Sequence, residues 1–155
     1  MTTETEADEM LAQLPEGPRD CAVLVGRLLL GVVMFAFGWE KWVTKGLSAT
    51  AAGMRNLGVP FPVLSATFAG TVELLGGALL MLGALTAVVG VLMVLDMAGA
   101  ILTTHQYVSI TGTPGIALTG SILTGALIFA ALGAGRFSVD HLLSARQRTK
   151  QPDIA

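Results

Sequence analysis

Residues 63–102 read VLSATFAGTVELLGGALLMLGALTAVVGVLMVLDMAGAIL, forty positions that carry two charges, Glu73 and Asp96. At about 1.5 Å per residue this run makes roughly 60 Å of helix, twice the ~30 Å of a bilayer core, and so predicts two spans folded back on each other. Gly83-Ala84-Leu85-Thr86 supplies the turn between them. Each span then holds one acid close to mid-membrane. An ionised Asp at that depth costs on the order of 2.5–3.5 kcal/mol on insertion scales, so both acids are expected to face the protein interior and to find partners there.

The composition agrees with lipid as the solvent. Of 155 residues 53% are hydrophobic and 13% charged, against about 25% charged in an ordinary soluble domain, and the mean hydropathy is +0.71. Four spans are expected, at about 21–42, 63–84, 87–104 and 116–133, within a membrane domain of residues 21–143. The fold class is an all-α integral membrane protein, a four-helix transmembrane bundle with no room for a separate soluble catalytic domain. Residues 1–20 are rich in acids (Glu4, Glu6, Asp8, Glu9, Glu16, Asp20) and read as a largely disordered tail. They lack the basic start and cleavage site of a secretion signal. A basic tail, 144–155, carries Arg146, Arg148 and Lys150.

In the first span Arg27, Gly31, Met34, Gly38 and Lys41 follow 4-3-4-3 spacing and share one helical face. Small residues let backbones approach and charges avoid lipid, so this is the packing face. Two fates remain open for Arg27: snorkelling to the nearer headgroups, or an internal pair with Asp96 or Glu73. Trp39, Glu40, Lys41 and Trp42 form an interfacial cluster with an adjacent ion pair. Between residues 44 and 62, Leu47, Ala51 and Met54 recur at helical spacing and predict a short helix lying in the interface. Pro60 and Pro62 then mark entry to the second span. There Ala66, Gly70, Glu73, Gly77 and Ala84 lie along one small-residue seam. In the third span Asp96 aligns with Met93, Ala100 and Thr103, and His105 ends it at the interface. The fourth span has no charge, and Thr113-Pro114 before it resembles a helix cap with a first-turn proline.

Lys and Arg near the span ends number six on the side of both termini (Arg19, Arg27, Arg136, Arg146, Arg148, Lys150) and three on the other (Lys41, Lys45, Arg55). The expectation is a plasma-membrane protein with both termini cytoplasmic.

With the spans in place, the order of Arg27-Leu-Leu-Leu-Gly31, Gly38-Trp-Glu-Lys41, Gly58-Val-Pro60, Glu73-Leu-Leu-Gly76-Gly77 and Gly133-Ala-Gly-Arg-Phe-Ser-Val-Asp140 resembles the DoxX family of small four-span bacterial and archaeal membrane proteins. The resemblance covers roughly residues 24–143. In relatives a glycine-rich, often acidic motif opens the fourth span; Gly112-Thr-Pro-Gly115 occupies that region here without an acid. The resemblance implies a membrane subunit tied to quinone-linked oxidation, a partner in redox-stress complexes, or a maturation factor for secreted redox enzymes. The family's motif positions fall on Arg27, Gly38, Lys41, Pro60, Glu73, Gly77 and Asp140.

The residues bound the chemistry. One cysteine, Cys21, excludes an intramolecular disulfide, and there is no thiolate set for zinc or an iron–sulfur cluster, so no metal is expected. His105 and His141 fall about a membrane thickness apart, too far to share a haem. No glycine-rich loop follows a strand, which leaves a nicotinamide or flavin unit unsupported. No catalytic residue is assigned and no covalent cofactor is expected. Candidates for ligand binding or proton relay are Arg27, Lys41, Glu73, Asp96 and His105, while Gly31, Gly38, Pro60, Gly77 and Asp140 are structural. The acids serve equally well as a polar cluster that fixes helix register. The leading expectation is a subunit that associates with quinone and a protein partner holding the redox centres. A scaffold or assembly factor without quinone, and a proton-coupled or small-solute transporter, stand as alternatives. Lipid surrounds the chain, oligomerisation is left open, and no nucleic-acid partner is expected.

Overall fold

The computed structural model describes residues 16–104 and 116–141. Helix α1 (Glu16–Trp39) runs into a π-helical turn (Glu40–Thr44). It is followed by α2 (Leu47–Asn56), α3 (Pro62–Leu82), α4 (Thr86–Thr104) and α5 (Ile116–Leu132). Windows in α1 with its π-turn, in α3 and in α4 are long and apolar enough to cross a bilayer, and α5 is a shorter apolar helix. The described chain is an all-α membrane bundle. Helix α1 starts inside the stretch expected to be tail: residues 16–20 are helical, with Pro18 in the first turn, where its missing N–H has no intrahelical partner to lose. His105, the Thr113-Pro114 cap and the tails up to 15 and from 142 lie outside the described residues.

The helices pack in sequence order, α1 against α3, α3 against α4 and α4 against α5, with α2 laid on α3 and only light contact between α1 and α5. Glycine sets the two closest crossings. A Cβ on Gly77 would sit 2.5 Å from the Phe35 nitrogen and 2.7 Å from the Gly31 oxygen, and one on Gly38 would overlap the Leu74 backbone. On the other side, a Cβ on Gly90 would lie 2.8 Å from the Ala130 nitrogen. These crossings are backbone against backbone, the arrangement by which spans associate where lipid gives no hydrophobic drive. Between them lies an apolar layer with one wholly enclosed residue from each long helix: Met34, Leu80, Met93 and Ala126 are all 0% exposed.

One end of the bundle is closed by a clasp. Helix α3 stops at Gly83 (φ 69°), and Leu85 (φ 52°) turns the chain into α4. The first amides of a helix have no intrahelical acceptor, and here the acceptor comes from 54–55 residues downstream. Asp140 Oδ1 accepts the Leu85 N–H at 2.8 Å and Oδ2 the Thr86 N–H at 3.0 Å, while the Asp140 N–H donates to the Gly83 carbonyl at 3.0 Å. A carboxylate at this position also meets the positive end of the α4 dipole. Arg27, 2% exposed, completes the closure. Its Nη1 donates to the Ala134 carbonyl and its Nη2 to the Phe137 carbonyl, both at 2.6 Å. Gly83 is obligatory twice over, since a side chain there would both meet a positive φ and run into the Arg27 guanidinium. Both fates considered for Arg27 are thereby replaced by a third. It neither reaches into headgroups nor pairs with Asp96 or Glu73, because main-chain carbonyls at its own depth use its fork.

Candidate functional site

The opposite half of the bundle holds the other buried charges, Glu73 and Asp96, with Lys41 beside them. In the π-turn the Lys45 N–H reaches back five residues to the Glu40 carbonyl at 2.8 Å. Such a turn widens the helix by one residue and is a frequent feature of functional sites. It leaves the Lys41 ammonium 2.5 Å from Glu73 Oε2 and 5.6 Å from the centroid of Phe37, whose ring face favours a cation. Gly70 makes room for the neighbouring Trp42 indole: a Cβ there would lie 3.0 Å from Trp42 Nε1 and 3.2 Å from Trp42 Cδ1. The ion pair expected between neighbours Glu40 and Lys41 does not form. Glu40 pairs with Lys45 at 2.9 Å instead, since adjacent residues on a helix point in different directions.

The Glu73 side chain is 6% exposed and that of Lys41 20%. Asp96, from α4, is 9% exposed and lies within electrostatic reach of both. Its Oδ2 is buried with no hydrogen-bond partner among the described residues. A carboxyl oxygen so placed is costly to leave unmet, which marks it as the group ready to take a donor.

All three side chains open on one cavity of about 390 Å³. Its outer wall comes from α2 and the turn after it (Met54, Leu57, Val59, Pro60), its sides from Phe68 and Ala69 of α3 and from Leu95, Gly99, Ala100 and Thr103 of α4. The wall is mostly apolar, with Lys41, Glu73 and Asp96 as its ionisable members and Ser65 and Thr103 as its hydroxyls. The volume falls within the usual range for small-molecule pockets, and an apolar shape with a few convergent polar groups is their usual build. Among the described residues no cluster of three His, Cys, Asp or Glu side chains is placed to hold a metal ion.

Of the candidates read from the sequence, Lys41, Glu73 and Asp96 therefore meet in one place, and Pro60 borders it. Arg27 and Asp140 sit in the clasp, about ten residues of helix away. Gly31, Gly38 and Gly77 form the α1–α3 crossing, and His105 is outside the described residues. Sequence reading missed Gly70 as the residue that admits the Trp42 indole, and Thr103 as a polar member of the wall. Gly70 did stand on the seam with Glu73, one turn away, which is the signal that was available.

The sequence model of the DoxX family matches residues 22–106, the part of the chain that holds the ion pair, Asp96 and the cavity. The chain belongs to the DoxX family. Three relatives accompany that match. An uncharacterized membrane protein of Mycobacterium tuberculosis is 32% identical over 142 residues, covering 84% of this chain and 85% of its own. The inner membrane protein YphA of Escherichia coli is 29% identical, over 79% of this chain and 90% of its own. A Bacillus subtilis protein provisionally named oxidoreductase CatD is 32% identical over 54% of this chain and 60% of its own. No solved structure matches. The DoxX match ends before α5 and the 133–140 segment, so Asp140 is placed here by geometry, while its partners Gly83, Leu85 and Thr86 fall within the match.

Proposed function

We propose that this DoxX-family chain is a membrane subunit of a redox system whose Lys41–Glu73–Asp96 cavity receives the head group of a quinone or quinol, the electrons being handled by centres on a partner oxidoreductase. The observation that carries the reading is the buried Oδ2 of Asp96, without a hydrogen-bond partner among the described residues, beside an already matched Lys41–Glu73 pair in the wall of a mostly apolar cavity. A ligand suited to it is mostly apolar, dissolved in lipid, and offers a hydroxyl or carbonyl at one end. A quinol gives up two electrons and two protons on oxidation. Toward such a head group Asp96 accepts a hydrogen bond and then a proton, Lys41 donates to an oxygen, and Glu73 holds Lys41 in place. The name of one relative as an oxidoreductase is in keeping with this. In this reading the chain sits in the plasma membrane, and the Lys and Arg count supports cytoplasmic termini with the cavity toward the outer face.

The test is quinone binding to the purified chain in nanodiscs, read by native mass spectrometry and by quenching of Trp42, which packs beside Lys41. Stoichiometric quinone that is lost in Asp96→Asn while the protein stays folded supports the reading. A chain that binds no quinone but copurifies with a redox enzyme points to a scaffold instead.

A further inference from the structure

Among the described residues, the buried polar side chains of this bundle fall into two layers with no buried polar side chain between them. One layer is Lys41, Glu73 and Asp96; the other is Arg27, Thr86 and Asp140. The stretches that join them are 28–38 in α1, 74–82 in α3 and 87–95 in α4, facing 125–132 in α5: LLLGVVMFAFG, LLGGALLML, AVVGVLMVL and GALIFAAL. None carries a polar side chain. Glu73 is nine residues and Asp96 ten from the clasp end of its helix, roughly 15 Å at ~1.5 Å per residue.

The centre of this layer is filled, and the cleft of about 390 Å³ that it leaves between α1 and α5, lined by Gly26, Leu30, Gly125, Ile128 and Phe129, is apolar. Met34, Leu80, Met93 and Ala126, one from each long helix, are wholly enclosed, and Val89, Ile122 and Phe129 pack around them. A water molecule needs about 2–4 polar partners to sit in such a place, and no side chain there offers one. Main-chain groups in the helices are already paired with each other. On the far side of the acids the cavity reaches the α2 end, where Pro60 and Thr103 border it.

We propose that the cavity is a blind, one-sided chamber: protons taken or given by its acids exchange with the face that carries α2 and with no other, and the chain moves no charge through to the clasp face. This concerns the same cavity as the proposed function and depends on that reading only for the source of the protons. A quinol oxidised there would pass its two electrons to the partner's redox centre and release its two protons, the first by way of Asp96, on the α2 side. Proton release is then fixed in direction by the position of the acids and needs no alternating access.

The experiment uses full-length chains in sealed proteoliposomes with Cys21→Ser as background and single cysteines placed at Ala100 (cavity wall), Leu80 and Val89 (apolar layer), Ser48 (α2 face) and Phe137 (clasp face). A charged, membrane-impermeant methanethiosulfonate is added from one side. Ala100→Cys is expected to react from the side that labels Ser48→Cys, and Leu80→Cys and Val89→Cys from neither. Labelling of Ala100→Cys from the Phe137 side, or of either layer cysteine in a correctly folded chain, overturns the proposal. The cysteine-free chain should also show no proton flux under a potassium diffusion potential beyond that of its Asp96→Asn variant. Asp96-dependent flux would overturn it as well. Neither readout requires quinone, so a failure of quinone binding is told apart from a failure of one-sidedness.

Discussion

Replacing Asp140 by alanine removes the cap that closes the α3–α4 turn, and the structure fixes what that costs. Two amides lose their acceptor. Thr86 is 0% exposed, so its N–H is left without a partner away from water, a penalty of about 1–3 kcal/mol for a buried donor. Leu85 is exposed, and its N–H finds water or a headgroup, which limits that loss to the few tenths up to ~1 kcal/mol of an ordinary cap. Together the change should destabilise the bundle by about 1.5–4 kcal/mol. Asp140→Asn keeps one side-chain oxygen and should cost about half as much. Asp20→Ala is the control: its contact with Arg136 is 3.7 Å long and the arginine is largely exposed, so less than ~1 kcal/mol is expected. Reversible unfolding in mixed detergent micelles gives the energies, and tryptic cleavage at Arg136 reports whether the 133–141 segment has come loose. If Asp140→Ala melts with the parent and is cut no faster, the clasp does not hold the bundle together and the cap assignment is wrong.

Two other perturbations follow from the packing and the ion pair. Lys41→Met strands Glu73, 6% exposed, and should cost about 3–5 kcal/mol, whereas Glu73→Gln leaves a 20% exposed ammonium with a long stem and the Phe37 ring, and should cost less. A double-mutant cycle in which Lys41→Met/Glu73→Gln is no better than the sum of the single changes would refute the pairing. Gly77→Ala drives a methyl into the Phe35 and Gly31 backbone and should cost about 3 kcal/mol or more, while Gly120→Ala meets nothing and should be neutral or slightly stabilising, by up to ~1 kcal/mol. Equal unfolding midpoints for the two alanine variants would count against a backbone-to-backbone α1–α3 crossing.

The helices were legible because their signals are local. An apolar run of span length, a Gly83 that stops it and a Pro62 that starts it each act within one turn, and the interfacial α2 showed itself through Leu47, Ala51 and Met54. The meeting of Lys41 with Glu73 was half legible: each stood on a small-residue face, and charges on such faces in lipid have few places to go. The α1 start was misplaced because acidic residues before an apolar run look solvated, yet acids suit the first turn of a helix. Arg27 was the larger miss. Its partners are main-chain carbonyls, which every residue possesses and no sequence pattern advertises. Depth was the available clue, since Arg27 and the 133–140 segment fall at the same membrane level.

The clasp also orders the birth of the molecule. Arg27 is 107 residues before the first carbonyl it binds, so a growing chain must insert its first three long helices while this guanidinium has no permanent acceptor and the α4 amides no cap. Until residue 140 leaves the ribosome, Arg27 is held by headgroups or by transient neighbours. Closure of the bundle then waits on residues 134–140, and a product cut short before Ala134 carries an unmet cation in its membrane segment.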